Sequence, residues 1–169
     1  MTMIELLIAG VVLVVGMLAI MVLLGLATGN NGRSKVDSTA TMLSQAVVEQ
    51  ISAVLAGGGP GQIVDDNNCD GTGNTWLIDS QSGPPPNGVG APLLGQKIDF
   101  TQPAPAGSQM NYVDCAGNVR TTYDVRWNVQ TIDATGTYLV TVGAKPIQGG
   151  ARQFLFSLPV NMRAYVGKN

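Results

Sequence analysis

Three sets of residues have types and spacings suited to chemistry. Glu5 is the one acid ahead of residues 6–27, a run of 22 residues without a charged side chain. A carboxylate at the head of such a run is costly to place in hydrocarbon and marks function by default. The plainer reading is an interfacial charge at a membrane-helix end. Asp66-Asn67-Asn68-Cys69-Asp70-Gly71 partly matches the calcium-loop pattern D-x-[DN]-x-[DN]-G. Asp66, Asn68 and Asp70 would offer oxygens from alternate positions. The position for a bidentate glutamate is Leu77, however, so an Asx-rich turn is favoured over a calcium site. Cys69 and Cys115 are the only two cysteines. In a chain of exported composition an even pair is expected to be bonded. The resulting loop of about 45 residues contributes roughly 3–4 kcal/mol in the chain-entropy picture.

What is missing narrows the function further. The chain has no histidine, which removes Ser-His-Asp and Cys-His catalytic units and any histidine-bearing zinc or haem site. Two thiols cannot build a four-thiolate cluster. A net charge of −2 over 169 residues, with 12% charged side chains, offers no basic surface for nucleic acid. The composition points away from an enzyme and toward no resident cofactor.

The elements that position these residues follow from patterning. About 20 apolar residues cross a bilayer as a helix, so residues 6–27 read as a membrane-embedded helix. A cleavable signal peptide would need a positive n-region and a shorter apolar core. No Lys or Arg precedes the run, whereas Arg33 and Lys35 follow it. The positive-inside rule taken literally conflicts with the exported composition downstream. A removed basic leader ahead of Met1 resolves the conflict. Thr28-Gly29-Asn30-Asn31-Gly32 disfavours continuous helix, and Ser34-x-x-Asp37 has the form of a capping-box start. Val36, Ala40, Leu43, Val47, Ile51 and Val54 then recur at spacings of four and three, one apolar stripe of an amphipathic helix. Gly57-Gly58-Gly59-Pro60-Gly61 ends it.

Beyond residue 61 a loop-rich stretch precedes strand signals over residues 110–113, 119–132, 138–142 and 154–162, separated by Ala116-Gly117-Asn118, Ala134-Thr135-Gly136 and Gln148-Gly149-Gly150. The order predicts an antiparallel meander. Alternation over residues 123–129 predicts one covered face and one wet face. Residues 1–75 contain no Phe, Tyr or Trp, so Trp76, Tyr123, Trp127 and Tyr138 are expected to fill the globular core.

Met1-Thr2-Met3-Ile4-Glu5-Leu6-Leu7-Ile8 resembles the mature N-terminus of type IV pilins and pseudopilins, where a short basic leader is cut before residue 1. Thr2, Met3, Ile4 and Glu5 match the family motif, while Met1 stands in place of the usual Phe. Val22 occupies a position that often carries proline. The resemblance covers about the first 56 residues, and the helix-then-meander order agrees with it. It implies that the Glu5 carboxylate pairs with the Met1 amine, in the same chain or a neighbour, to set the register of assembly. It also implies cleavage by a prepilin peptidase, N-methylation, handling by pilus assembly machinery, an inner-membrane pool and a helical homopolymer on the cell surface used for adhesion, motility or uptake. The alternatives are a minor pilin or tip adhesin, a secretion-system pseudopilin, and a monotopic membrane-anchored binding domain.

The expected architecture is α+β. A long N-terminal hydrophobic helix covers residues 1–56, its 1–28 part in membrane or filament core and its 34–56 part packing on the sheet. The two parts are either separate helices or one long helix with a softened middle, and in an assembled filament helical hydrogen bonding is expected to be lost somewhere within residues 25–32. A small globular domain with an antiparallel meander covers residues 57–169.

Overall fold

A computed structural model of the chain describes residues 2–57, 62–65, 74–77, 81–115, 121–134, 136–148 and 158–167. Its elements are a helix α1 (Met3–Leu55) and strands β1 (Gln62–Asp65), β2 (Asn74–Leu77), β3 (Val89–Gly90), β4 (Leu93–Leu94), β5 (Lys97–Ile98), β6 (Gln109–Asp114), β7 (Thr121–Thr131), β8 (Thr137–Gln148) and β9 (Val160–Gly167). Two compact units divide it, Met1–Asp37 and Ser38–Asn169. The α+β class and the meander are present: β6, β7, β8 and β9 pair in sequence order, each antiparallel to the next.

The helix is unbroken over 53 residues. Residues 25–32 are helical in the single subunit, which is the one-long-helix form of the two that the pattern allowed, and Ser34 lies inside the helix instead of capping a second one. Helix formation is cooperative. A break would forfeit backbone bonds and require a second costly nucleation, whereas propagating through a few weak positions costs less. Thr28 helps to satisfy the backbone here, its hydroxyl donating to the Leu24 and Gly25 carbonyls at 3.1 and 3.0 Å. The expected C-terminal stop holds. Gly57 takes φ +84° and its amide donates to the Val54 carbonyl at 3.0 Å, the left-handed closure that glycine provides at least steric cost. Gly58 to Gly61 lie outside the described residues.

The two stretches of α1 differ in burial. The large apolar residues from Met3 to Leu26 are all exposed. Val36, Ala40, Leu43, Val47 and Ile51 are buried and Val54 is half-buried, as the stripe predicts. In the unit Ser38–Asn169 the helical stripe shares the core with Tyr123, Val125, Trp127 and Val129 of β7 and Val140, Val142 and Ala144 of β8. The strand residues interleave as direct cross-strand partners, Val125 with Ala144, Trp127 with Val142 and Val129 with Val140. Tyr138 is half-buried, and Trp76 offers no described side chain.

β7 is central. Its one edge pairs with β8, and its other is shared end to end by β6 and the short β3. Its second face is not wet, contrary to expectation: Asp124, Arg126, Asn128 and Gln130 are buried too. Residues 82–108 cover them, a stretch expected to be loop that contributes β3 and the hairpin of β4 and β5. These strands are two residues long, too short for period-2 alternation to register in the sequence. Earlier in the chain, β1 and β2 pair antiparallel with each other. β9 runs past the expected end at residue 162 to Gly167, alternating exposed Arg163 and Tyr165 with better covered neighbours.

Candidate functional site

Glu5 lies in the first turn of α1, and its carboxylate accepts the backbone N–H of Thr2 at 2.8 Å. Thr2 is the residue before the first helical position, and its own carbonyl accepts the Glu5 amide at 3.1 Å. Thr2-Met3-Ile4-Glu5 is thus a capping arrangement of the form T-x-x-E, in which the third helical residue reaches back to an amide that has no intrahelical partner. The same spacing rule that drew attention to Ser34 and Asp37 points more strongly here. An acid in this place also complements the positive end of the helix dipole.

The capping bond leaves the charge of Glu5 unanswered. A neutral N–H fills one acceptor site of the carboxylate and supplies no counter-charge, so in a low-dielectric setting the group still calls for a cation. Met1, whose amine is the expected partner, lies outside the described residues. Along the following run the side chains from Leu6 to Leu26 offer methyl and methylene groups on all sides of the helix. Residues 6–27 rise about 33 Å at 1.5 Å per residue, matching a hydrocarbon thickness of about 30 Å. α1 is long and apolar enough to cross a membrane.

The other candidates stand apart. Cys115 follows β6 and is disulfide-bonded. Cys69, the other cysteine of the chain, and the oxygen donors Asp66, Asn68 and Asp70 lie outside the described residues. Among the described residues no group of three acidic or thiol side chains could hold a metal ion.

A polar cluster escaped the sequence reading. On the second face of β7, Arg126 Nε reaches both Asp124 oxygens at 3.0 and 2.9 Å, and its Nη2 lies 2.7 Å from Asp124 Oδ2. The same guanidinium donates to the Gln102 carbonyl at 2.5 Å and lies 5.1 Å from the centre of the Phe100 ring. Asn128 donates to the Asn87 and Ala91 carbonyls, both at 2.9 Å, and Gln130 to the Pro86 carbonyl at 2.6 Å. Asp99 gathers the Thr101 amide at 2.9 Å, the Thr101 hydroxyl at 2.6 Å and Gln102 Nε2 at 2.9 Å. Those Thr101 donors, helped by Gln102 and Arg126 and opposed by burial, hold its carboxyl below the ordinary range. The pattern was visible as Asp, Arg, Asn and Gln at alternate positions, but alternation alone does not say what covers them. Apart from Asn128 Oδ1, which is buried without a hydrogen-bond partner, these groups are engaged within the chain, and the arrangement serves to hold residues 82–108 in place. No reacting centre is formed by it.

No protein-family model matches the chain, and neither a curated protein nor a solved structure matches it.

Proposed function

We propose that the chain is a structural subunit of a type IV pilus-like surface filament that polymerises through its N-terminal helix. The observation that carries the reading is the exposed apolar stretch of α1, opened by Thr2 and Glu5 and followed by an amphipathic continuation and an antiparallel meander. A soluble monomer rarely leaves so much contiguous apolar surface uncovered. In this reading the bilayer covers it before assembly, and the helices of neighbouring copies cover it afterwards. Burial contributes about 25 cal/mol per Å² before the entropic costs of association. Apolar contact is non-directional, so it does not select one register among many. Glu5 supplies that selection by taking a cation at a fixed place, in the proposal the N-terminal amine of the same or an adjacent copy. A head-to-tail contact that does not close makes a filament with open ends. The role assigned is structural, with processing by a prepilin peptidase and export through pilus assembly machinery. No catalysed step belongs to it.

Glu5→Ala tests the reading. The variant subunit is expected in the membrane fraction at normal amount, with sheared surface fibres reduced at least tenfold. A normal fibre yield would remove the assembly role of Glu5. The absence of any chain-containing fibre from the unmodified protein would remove the filament itself.

A further inference from the structure

Between β3 and β6 the chain leaves the sheet edge and returns to the same residue. The Ala91 amide donates to the Trp127 carbonyl at 2.8 Å, and the Trp127 amide donates to the Ser108 carbonyl at 3.1 Å. The 16 intervening residues, 92–107, thus have both feet on the backbone of Trp127, the layout of an Ω-loop. They lie over the second face of β7, β8 and β9. Glycines in left-handed conformations flank the feet, Gly90 at φ +118° and Gly107 at φ +84°. The loop also holds itself together, with the Asp99 amide donating to the Pro92 carbonyl at 2.8 Å and the β4–β5 pairing inside it.

We propose that residues 92–107 are a lid that opens as one body about Trp127 while the sheet and its helix-side core stay intact. Three features support this. The fastenings to the sheet are mostly polar: Arg126 to the Gln102 carbonyl, the Ile98 amide to Asn161 Oδ1 at 2.9 Å, and Arg163 to Gln96 Oε1 at 2.5 Å. Water replaces such bonds when they part, so their loss costs little net. Arg126 keeps Asp124 as its partner in the open state, so lifting the lid strands no buried charge. The apolar fastenings are Ile98 seated on Gly143, where an added methyl group would come within 2.9 Å of Ile98, and the Phe100 ring against the Arg126 guanidinium. The opposite face of the same strands is closed by Tyr123, Val125, Trp127, Val129, Val140 and Val142, which have no comparable route to open alone.

Opening uncovers a polar floor. Arg126, Gly143 and Asn161 lie in one cross-strand row, and Thr141 and Arg163 in the next. In the closed state both arginines are bound to lid oxygens, and lifting the lid hands their donors to solvent.

Hydrogen exchange of the full chain in detergent micelles decides the matter. The Ile98 amide, whose acceptor Asn161 Oδ1 is on the sheet, is expected to exchange about 100-fold faster than those of Val140 and Val142, whereas the Asp99 amide, bonded to Pro92 inside the lid, is expected to stay protected as the lid moves in one piece. Asn161→Ala removes a fastening and should speed lid exchange about tenfold more with β8 unchanged. Arg163→Ala, at an exposed position, should act the same way more weakly and serves if the first variant does not fold. Equal protection of the Ile98 amide and β8, or a variant that shifts both together, would overturn the proposal.

Discussion

The units Met1–Asp37 and Ser38–Asn169 place the same kinds of apolar side chain in opposite settings. In the second unit the burial is internal on both sheet faces: Trp127 and its neighbours close one, and on the other the donors of Arg126, Asn128 and Gln130 find acceptors within the chain, with Asn128 Oδ1 left unpartnered. In the first, Leu6 to Leu26 stay exposed although the same residue types would form a core elsewhere. The difference teaches where to look for partners. A region that buries its own apolar side chains offers little surface to a partner, whereas one that leaves them exposed is the place to look for what covers them.

That contrast can be broken by substitution. Trp127→Ala should destabilise the sheet unit by about 3–5 kcal/mol in denaturant unfolding, since a large, fully buried side chain leaves a cavity. Leu13→Ala, at an exposed apolar position, should leave the same transition within about 0.5 kcal/mol. Equal effects would abolish the distinction between the units. Next in size is Cys115→Ser, expected to cost the sheet unit roughly 3–4 kcal/mol through the freed loop. Non-reducing peptide mapping of the unmodified chain should recover one species linking the Cys69 and Cys115 peptides, and quantitative labelling of both thiols in unreduced protein would refute the link.

A smaller effect sharpens the account of the polar face. The folded-state pKa of Asp99 lies below its ordinary value of 3.8, so its stabilising contribution is present above that value and is lost as pH falls through the lower folded one. Thr101→Ala removes the largest cause of the depression. The variant should be less stable than the parent near neutrality, with the gap closing below about pH 3.8 in acid titrations of unfolding. A gap independent of pH would assign the Thr101 effect to packing. The smallest effect belongs to the first unit. Thr28→Ala should leave helicity unchanged or raise it by about 0.5 kcal/mol, since alanine has the better propensity and the lost hydroxyl bonds only supplement the helix. A drop in helix content confined to residues 25–32 would show that these bonds hold the stretch together.

Much of this was written in local pattern. The stripe from Val36 to Ile51, the stop at Gly57 and the long strands β7 and β8 follow from periods of 3.6 and 2 and from glycine chemistry, which act over a few residues and need no knowledge of neighbours. Glu5 was legible as the acid before an uncharged run, and Thr2-x-x-Glu5 carries the spacing of a capping box. Other features had no local signature. Gly25 to Gly32 contains residues that weaken helix, yet the stretch stays helical because strong helix on both sides makes continuation cheaper than renewed nucleation. The even residues of β7 share a face by alternation, but burial of that face depends on residues 82–108, whose two-residue strands carry too little periodicity to announce themselves. Sequence therefore determined which side chains share a face, because backbone geometry alone sets that. Only the tertiary structure decided what lies against the face, because that depends on segments far away in the chain whose return to Trp127 no local rule encodes.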